Sequence, residues 1–243
     1  MGWKSAITRV EPGRILIRGY PVEELIGKRS YGEVLFLLIK GRMPSPAEAK
    51  ILEAIIVSSC DHGVTPPSTL TARTLASTGN ELNAALAGGV LAISKYHGGA
   101  IEGCMHVLKE GVEVGLSPEE LVKRKREKKE RIPGFGHRIH RQDPRSVRLF
   151  QLARELGFWG RYTEYALGIE AALKEVTGKD LPINVDGAIG ALLCELEIPS
   201  YLANGLFIIS RLAGMLAHID EEKRRERPMR FIDPRECEYD GKD

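Results

Sequence analysis

The chain has 243 residues, 43% of them hydrophobic, and its 35 basic and 33 acidic side chains leave a formal net charge of +2. This length allows one domain or two small ones, with enough apolar material for a core. A charge balance so close to zero excludes a strong overall attraction to nucleic acid or to an anionic membrane.

Three further features predict a soluble cytoplasmic protein. The longest uncharged stretches, such as Leu82–Ser94, have 13 residues, fewer than the roughly 20 of a membrane-spanning helix. The N-terminal residues lack the apolar block of a secretory signal. The cysteines show neither a CxxC pair nor metal-ligand spacing, which predicts free thiols and no metal site. They are Cys60, Cys104, Cys194 and Cys237.

The start and stop signals along the chain are almost all helical. Ser30, Ser45 and Ser117 each precede a glutamate by three residues, the pattern of a capping box. Asp143, followed by a proline, predicts the start of another helix. Four glycines stand where helices should end and supply the left-handed conformation of a C-terminal cap: Gly41, Gly98, Gly157 and Gly178. The predicted fold class is mostly α.

One helix and one strand have distinctive compositions. Glu81–Lys95 is apolar on all sides and rich in alanine and glycine, so we expect a slim, buried helix that another helix crosses closely. Strand character is confined to Arg14–Arg18. The sequence therefore allows at most a short N-terminal β-hairpin.

A basic segment precedes a glycine-rich turn. Lys123–Arg131 is nearly all charge and is interpreted as a solvated helix face. Nucleic-acid binding would need interleaved aromatic residues or a basic excess elsewhere, and the chain has neither. Pro133–His137 then forms a tight turn, whose backbone N–H groups are suited to a phosphorylated ligand. Arg131, Arg138 and Arg141 lie near it in sequence.

Three histidines stand beside glycines, where the backbone can approach a ligand closely. They are His62, His97 and His137. A histidine in such a position is otherwise a capping or core residue, so the pattern leaves both interpretations open. The remaining histidines lack this setting and are interpreted as structural: His106, His140 and His218.

One carboxylate and three arginines complete the candidate groups. Asp186 lies in an apolar segment and is interpreted as the N-cap of a helix over Gly187–Leu196, as a base with a tuned pKa, or as both. Arg211 interrupts an apolar stretch, so its guanidinium needs a buried anion or a water-filled cleft. Arg145 and Arg227 stand in Asp-Pro-Arg and Glu-Arg-Pro patterns. Together these groups indicate acid–base chemistry on a polyanionic carboxylate.

Eight fragments in this order resemble the citrate synthase superfamily. They are Arg18–Leu25, Asp61–Gly63, His97–Ala100, Pro133–His137, Asp143–Arg145, Asn184–Asp186, Ser210–Arg211 and Glu226–Pro228. The resemblance extends from about Arg14 to Pro228. It implies a two-domain helical fold, in which 1–101 and 200–243 form a large domain and 102–199 form a small, coenzyme A-binding domain.

One departure separates two branches of the superfamily. Ordinary citrate synthases carry a long helical stretch where this chain has one short helix, predicted over Ala47–Ser58. In this respect the chain is similar to citryl-CoA lyase and to the C-terminal lyase module of ATP citrate lyase, whereas His97 matches the synthase pattern. The resemblance implies a citryl-CoA lyase, which cleaves citryl-CoA to acetyl-CoA and oxaloacetate. A compact citrate synthase and a non-catalytic coenzyme A-binding subunit remain alternatives.

The resemblance also implies roles for residues of this chain. The implied catalytic groups are His97, His137 and Asp186. Oxaloacetate would be held by His62, Arg145 and Arg211, with Arg227 supplied by a neighbouring subunit. Coenzyme A would contact Pro133, Gly134, Phe135, Gly136 and Arg141.

The same resemblance sets expectations for ligands and partners. It implies no metal and no permanently bound cofactor, since coenzyme A enters as part of substrate and product. The implied partners are citryl-CoA and further copies of the chain, in an oligomer built on dimers. Neither nucleic acid nor a membrane is implied, and a separate citryl-CoA synthetase is left open.

Overall fold

The computed structural model describes residues 2–136 and 142–242. Its secondary structure is dominated by helices, so the mostly α fold class is confirmed. In chain order the described helices are α1 Val22–Leu25, α2 Tyr31–Lys40, α3 Pro46–Ser59, α4 Pro67–Ser77, α5 Leu82–Leu91, α6 Ala100–Val114, α7 Pro118–Glu127, α8 Pro144–Glu155, α9 Arg161–Thr177, α10 Val185–Glu195 and α11 Ala203–Arg225. Short 3-10 turns cover Ser200–Leu202 and Pro234–Glu236.

The N-terminal β-structure is a three-stranded antiparallel sheet in the order β1 Thr8–Glu11, β2 Arg14–Ile17 and β3 Tyr20–Pro21. The predicted strand is β2, and a two-residue third strand extends the expected hairpin, because so short a strand has no readable alternation. Arg18 turns the chain between β2 and β3 with a φ of 50°. Its guanidinium donates to the carbonyl of Leu38 in α2 at 2.7 Å, which ties the sheet to the helices.

The predicted helix starts are confirmed. Ser30, Ser45 and Ser117 each accept a hydrogen bond from the backbone of the glutamate three residues later, and that glutamate bonds the serine N–H in return. Asp143 caps α8 by accepting the N–H of Arg145 at 3.0 Å. Three of the four expected glycines follow helix ends in the left-handed conformation, Gly41, Gly157 and Gly178.

The fourth glycine corrects a prediction. The helix expected over Glu81–Lys95 ends at Leu91, and the next residues form a turn in which Ser94 and His97 exchange two backbone hydrogen bonds of 2.8 and 2.9 Å. Gly98 follows this turn with a φ of +90° and does not cap the helix. Helical periodicity cannot reveal a turn that is closed by its own hydrogen bonds.

Of the two predictions for α5, the close crossing by another helix and the burial, one is confirmed and one is wrong. The close crossing is confirmed, because a Cβ on Gly88 would overlap the side chain of Leu75 in α4 and one on Gly89 would lie 3.0 Å from the carbonyl oxygen of Ser68. The expected burial is wrong: only Ala85 and Gly89 of its ten residues are buried. In the single chain, α5 therefore covers its neighbours with one face and leaves the rest of its apolar surface exposed.

The chain divides into two compact units. The first, here unit 1, contains Met1–Ser59 and Gly99–Leu206, and the second, unit 2, contains Cys60–Gly98 and Phe207–Asp243. In unit 1 the core is built around α10, nine of whose eleven residues are buried against α3, α6, α8 and α9. Unit 2 contains α4, α5 and most of α11. The division implied by the resemblance, with 102–199 as the small domain, stays a prediction.

The last long helix is long enough to span a membrane, whereas the uncharged stretches of the sequence are too short. By length and composition, Ser200–Arg225 could cross a membrane, and 44% of its most apolar window is buried inside the protein. It also carries Arg211 and Glu222, both almost fully buried. Charged groups that are buried and paired are typical of a helix packed within a protein fold.

Candidate active site

The glycine turn of unit 1 is held on the segment that leads into α10. Phe135 bridges to Ile183, and the N–H of Gly136 donates to the carbonyl of Pro182 at 2.7 Å. The side-chain amide of Asn184 donates to the carbonyl of Gly136 at 2.8 Å. These bonds bring the predicted ligand-binding turn beside the start of α10, the helix that carries Asp186.

Two glycines allow this close approach. Gly134 has a φ of +90°, and a Cβ on it would lie 2.7 Å from the Cα of Gly187 in α10. A Cβ on Gly187 would overlap the carbonyl oxygen of Gly134. The backbones of the turn and the helix therefore touch directly, and neither position tolerates a side chain without movement.

The predicted N-cap role of Asp186 is wrong. The cap is Asn184, whose side-chain oxygen accepts the N–H groups of Asp186 and Gly187 at 3.0 and 3.1 Å. Asp186 is instead the second residue of the helix and is partly buried. Its carboxyl group therefore lies in the first turn of the helix, and the helix start does not depend on it.

Arg145 is fixed by an ion pair in the same unit. Its Nε and Nη2 donate to the two carboxylate oxygens of Asp143 at 3.0 and 2.9 Å, and Asp143 also accepts the N–H of Val185 at 3.1 Å. Burial raises the pKa of Asp143, but the bonds from Arg145 outweigh this and keep the pKa below its ordinary value. A guanidinium has five N–H donors, so Arg145 is an oriented cation with donors left for a second anion.

A cavity of about 590 Å³ adjoins the glycine turn in unit 1. Five of its lining residues are basic: Lys125, Arg126, Lys129, Arg131 and Lys179. Its apolar lining includes Phe135, Val122, Ile132, Leu173 and Leu181. The volume is within the range of small-molecule sites, and an apolar wall with a basic rim suits a phosphorylated ligand. The sequence analysis did not predict this cavity, because its walls come from segments about 50 residues apart.

In unit 2, His97 is packed among groups that keep it uncharged. Its Nε2 lies 2.8 Å from the hydroxyl oxygen of Ser68, and its ring meets the ring of Phe207 edge-on at 5.8 Å. Burial lowers the pKa of His97, and the positive charges of Arg211 and His62 lower it further. A neutral imidazole has one N–H donor and one acceptor nitrogen, so His97 is suited to hydrogen bonding to a ligand oxygen.

Arg211 is buried, as its place in an apolar stretch predicts, whereas its buried anion or water-filled cleft stays a prediction. It is 3% exposed, and its guanidinium lies over the ring of Phe207 at 4.8 Å. His62 lies in the exposed loop between α3 and α4, and its charge acts on His97. Unit 2 therefore brings together three of the predicted site residues: His62, His97 and Arg211.

The other predicted residues are not brought into these clusters. Arg227 lies beyond the end of α11 and is exposed. His137 and Arg141 lie outside the described residues, as does His140. Within residues 2–136 and 142–242, the histidines, cysteines and carboxylates form no group of three that could hold a metal ion.

Comparison with known proteins covers nearly all of the chain. A family model described as "Citrate synthase, C-terminal domain" matches residues 2–50 and 43–232. "Citrate synthase 2" of Bacillus subtilis is 32% identical over 247 residues, which span this whole chain and 63% of that protein. The chain is therefore shorter than this curated relative by more than a third.

Two solved structures share the fold closely. Citryl-CoA lyase from Hydrogenobacter thermophilus is 41% identical with a TM-score of 0.94, covering 99% of this chain and 95% of that one. ATP citrate lyase from Methanothrix soehngenii, solved with citrate and coenzyme A, is 26% identical with a TM-score of 0.90. The match covers 100% of this chain and 42% of that one.

Proposed function

Because this chain belongs to the citrate synthase family, we propose that it is a citryl-CoA lyase, which cleaves citryl-CoA to acetyl-CoA and oxaloacetate. The observation that carries the proposal is the likeness to the citryl-CoA lyase of Hydrogenobacter thermophilus over almost the full length of both chains. A single short helix, α3, at the position where synthases carry a longer stretch also supports the lyase branch.

The cleavage is a retro-aldol-type reaction that begins at the C3 hydroxyl of the citryl group. A base removes the hydroxyl proton, the C3–O electrons form the keto group of oxaloacetate, and the bond to the thioester-bearing carbon breaks. That carbon keeps the bonding electrons, as the enolate of acetyl-CoA. We assign the base role to His137, in accord with the glycine turn that precedes it.

His97 and Asp186 would act on the departing enolate. A neutral imidazole can donate a hydrogen bond to the thioester oxygen as negative charge develops there, and the lowered pKa of His97 keeps it neutral at pH 7. The enolate carbon must then gain a proton, which a positioned carboxyl group would supply from its neutral acid form, leaving the carboxylate. Asp186 is partly buried at the start of α10 and takes this role in the proposal. The scheme uses proton transfer and charge stabilisation alone.

Cationic groups would hold the carboxylates of the substrate. Arginine binds a carboxylate through two parallel hydrogen bonds. Arg145 is oriented by Asp143, and Arg211 is buried over Phe207. With His62 they account for the predicted oxaloacetate-binding groups of one chain.

The glycine turn and its cavity would hold coenzyme A. The resemblance assigns Pro133–Gly136 to this ligand, and Phe135 belongs to both the turn and the cavity wall. We propose that the cavity accepts the nucleotide end of coenzyme A, with the adenine on the apolar wall and the phosphates at the basic rim.

An oligomer built on dimers is part of the proposal. Unit 2 leaves several large apolar side chains exposed, which favours contact with another copy of the chain: Val64, Leu70, Leu82, Leu91 and Leu216. Arg227, exposed beyond α11, would reach the site of the neighbouring copy.

A compact citrate synthase is the second candidate. His97 matches the synthase pattern, and the chain is 32% identical to citrate synthase 2 of Bacillus subtilis. A synthase shares the carbon chemistry but also hydrolyses the thioester.

One assay distinguishes the two activities. Purified protein is given citryl-CoA and, separately, acetyl-CoA with oxaloacetate, and acetyl-CoA, citrate and free coenzyme A are quantified. We expect citryl-CoA to yield acetyl-CoA and oxaloacetate with little free coenzyme A. Citrate and free coenzyme A as the main products would identify a synthase instead. No turnover of citryl-CoA, with coenzyme A binding retained, would favour a non-catalytic subunit.

A further inference from the structure

The loop that carries His62 is held by Asp61. The Asp61 carboxylate accepts the backbone N–H of Gly63 at 3.0 Å and also that of His62. A second oxygen of this carboxylate lies 3.0 Å from Nε2 of His218 in α11. Asp61 therefore closes the turn around His62 and links it to the helix.

The surface of α11 under this loop allows the backbone of the loop to approach closely. Gly214 of α11 donates its N–H to the carbonyl of Cys60 at 3.1 Å, and a Cβ on Gly214 would lie 2.7 Å from Oδ1 of Asp61. Arg211, Gly214 and His218 are spaced by three and four residues, so they share one face of the helix. The same face thus presents Arg211 and supports the His62 loop.

The other ring nitrogen of His218 faces a buried cation. Nδ1 of His218 lies 3.4 Å from Nη1 of Arg73 in α4. Nδ1 also lies 3.8 Å from a carboxylate oxygen of Glu221. An ionised carboxylate can only accept, so Nε2 carries a proton and donates to Asp61. Arg73 is itself fixed by Glu222 at 2.6 Å and by Glu221 at 3.1 Å. Contacts at both ring nitrogens therefore fix the orientation of His218.

We propose that His218 is a positioning residue: through Asp61 it fixes the loop that carries His62, and so sets the affinity of the site for the carboxylates of its substrate. The sequence indicated no role for His218 beyond a structural one. The part of the inference that concerns substrate affinity rests on the proposed function; the part that concerns the placement of His62 does not.

The test compares His218→Phe with His218→Gln. Glutamine keeps an N–H donor at the position of Nε2, whereas phenylalanine fills the space without a donor. In His218→Phe we expect the Kd for oxaloacetate to rise about tenfold, the loss expected for one charge-assisted hydrogen bond, with coenzyme A affinity unchanged. His218→Gln should stay within about twofold of the wild type, since the bond is kept. His106→Phe, at an exposed histidine of α6, is the matched control.

The deciding measurement is the titration of His97 by NMR with labelled histidine. His97 faces Ser68, Phe207, Arg211 and the charge of His62. If the loop is released, the His62 charge moves away and the pKa of His97 rises. We expect this rise in His218→Phe but not in His218→Gln or His106→Phe.

An unchanged His97 pKa in folded His218→Phe overturns the inference, whatever happens to the oxaloacetate affinity. Should that variant not fold, Asp61→Asn replaces it, because it removes the charge that holds His218 and keeps an acceptor for the turn. The same rise is then expected, and its absence overturns the inference. A wild-type protein that neither binds oxaloacetate nor cleaves citryl-CoA would instead count against the proposed function, and the His97 titration would still decide the placement of His62.

Discussion

The two compact units are built from similar helices but differ in how many charged side chains they bury. In unit 1, α10 has nine of eleven residues buried among apolar neighbours. In unit 2, α5 buries two of ten residues and leaves Leu91 84% exposed. Among the described residues, unit 2 buries three charged side chains, Arg73, Arg211 and Glu222, whereas unit 1 buries one, Asp143.

Because of this difference, the two units depend on different interactions for their stability. Unit 1 is stabilised mainly by apolar packing, and it carries Asp186 and the glycine turn beside its central helix, α10. In unit 2, buried charges need partners in defined positions. Such a unit depends more strongly on each ion pair, and its exposed apolar face favours another copy of the chain.

The largest expected effect is the loss of citryl-CoA cleavage when Asp186 of unit 1 is changed to asparagine. Because Asn184 caps α10, Asp186→Asn should leave the thermal stability and the oxaloacetate affinity nearly unchanged. Proton transfer by a positioned side chain contributes about 10²–10⁴-fold, so we expect citryl-CoA cleavage to fall by that factor. Asn184→Ala is the matched variant, expected to lose about 1 kcal/mol of stability. Near-normal turnover in Asp186→Asn would remove the residue from the mechanism.

The next effect tests the buried ion pairs of unit 2. Arg73→Met leaves Glu222 with Arg230 as its remaining partner, so the expected loss is that of a buried charge-assisted hydrogen bond, about 1.5–3 kcal/mol. The control is Arg224→Met, whose pair with Asp220 is exposed and is worth at most about 1 kcal/mol. Denaturant unfolding measures both. Equal losses would mean that unit 2 does not depend on its buried charges.

A smaller effect concerns the basic cavity of unit 1. Lys129→Gln should weaken the binding of coenzyme A about tenfold, the value of roughly one charge-assisted hydrogen bond, with no change in stability. Lys123→Gln, at an exposed lysine paired with Glu119, should bind normally. Calorimetry with coenzyme A and with 3′-dephospho-coenzyme A compares the phosphates. If Lys129→Gln binds coenzyme A as tightly as the control, the nucleotide does not use this cavity.

The smallest expected effect is at the exposed face of unit 2. Leu91→Gln changes a side chain with few contacts in the single chain, so the stability measured on monomers should stay within about 0.5 kcal/mol. If this face contacts another copy, the dimer should dissociate at a several-fold higher protein concentration, as measured by analytical ultracentrifugation. Leu192→Ala, in the core of unit 1, should show the reverse, with about 2–5 kcal/mol lost. An oligomer unchanged by Leu91→Gln would place the interface elsewhere.

Local patterns in the sequence were sufficient for the helix starts and for the chemistry of single residues. Ser30, Ser45 and Ser117 cap helices through bonds to residues three positions away, a range that a sequence shows directly. Arg211 was expected to be buried because it interrupts an apolar run, and it is. The order of eight motifs was enough to indicate the family.

Contacts between distant segments could not be read in this way. Asn184 and Asp186 are both good capping residues, and the cap belongs to Asn184, whose side chain also bonds the glycine turn 48 positions earlier. His218 was interpreted as structural from its sequence, yet it contacts Asp61 across 157 positions. The burial of α5 likewise depends on what packs against it. Periodicity and capping describe a segment and its nearest turns, whereas the partner of a side chain depends on how the whole chain packs.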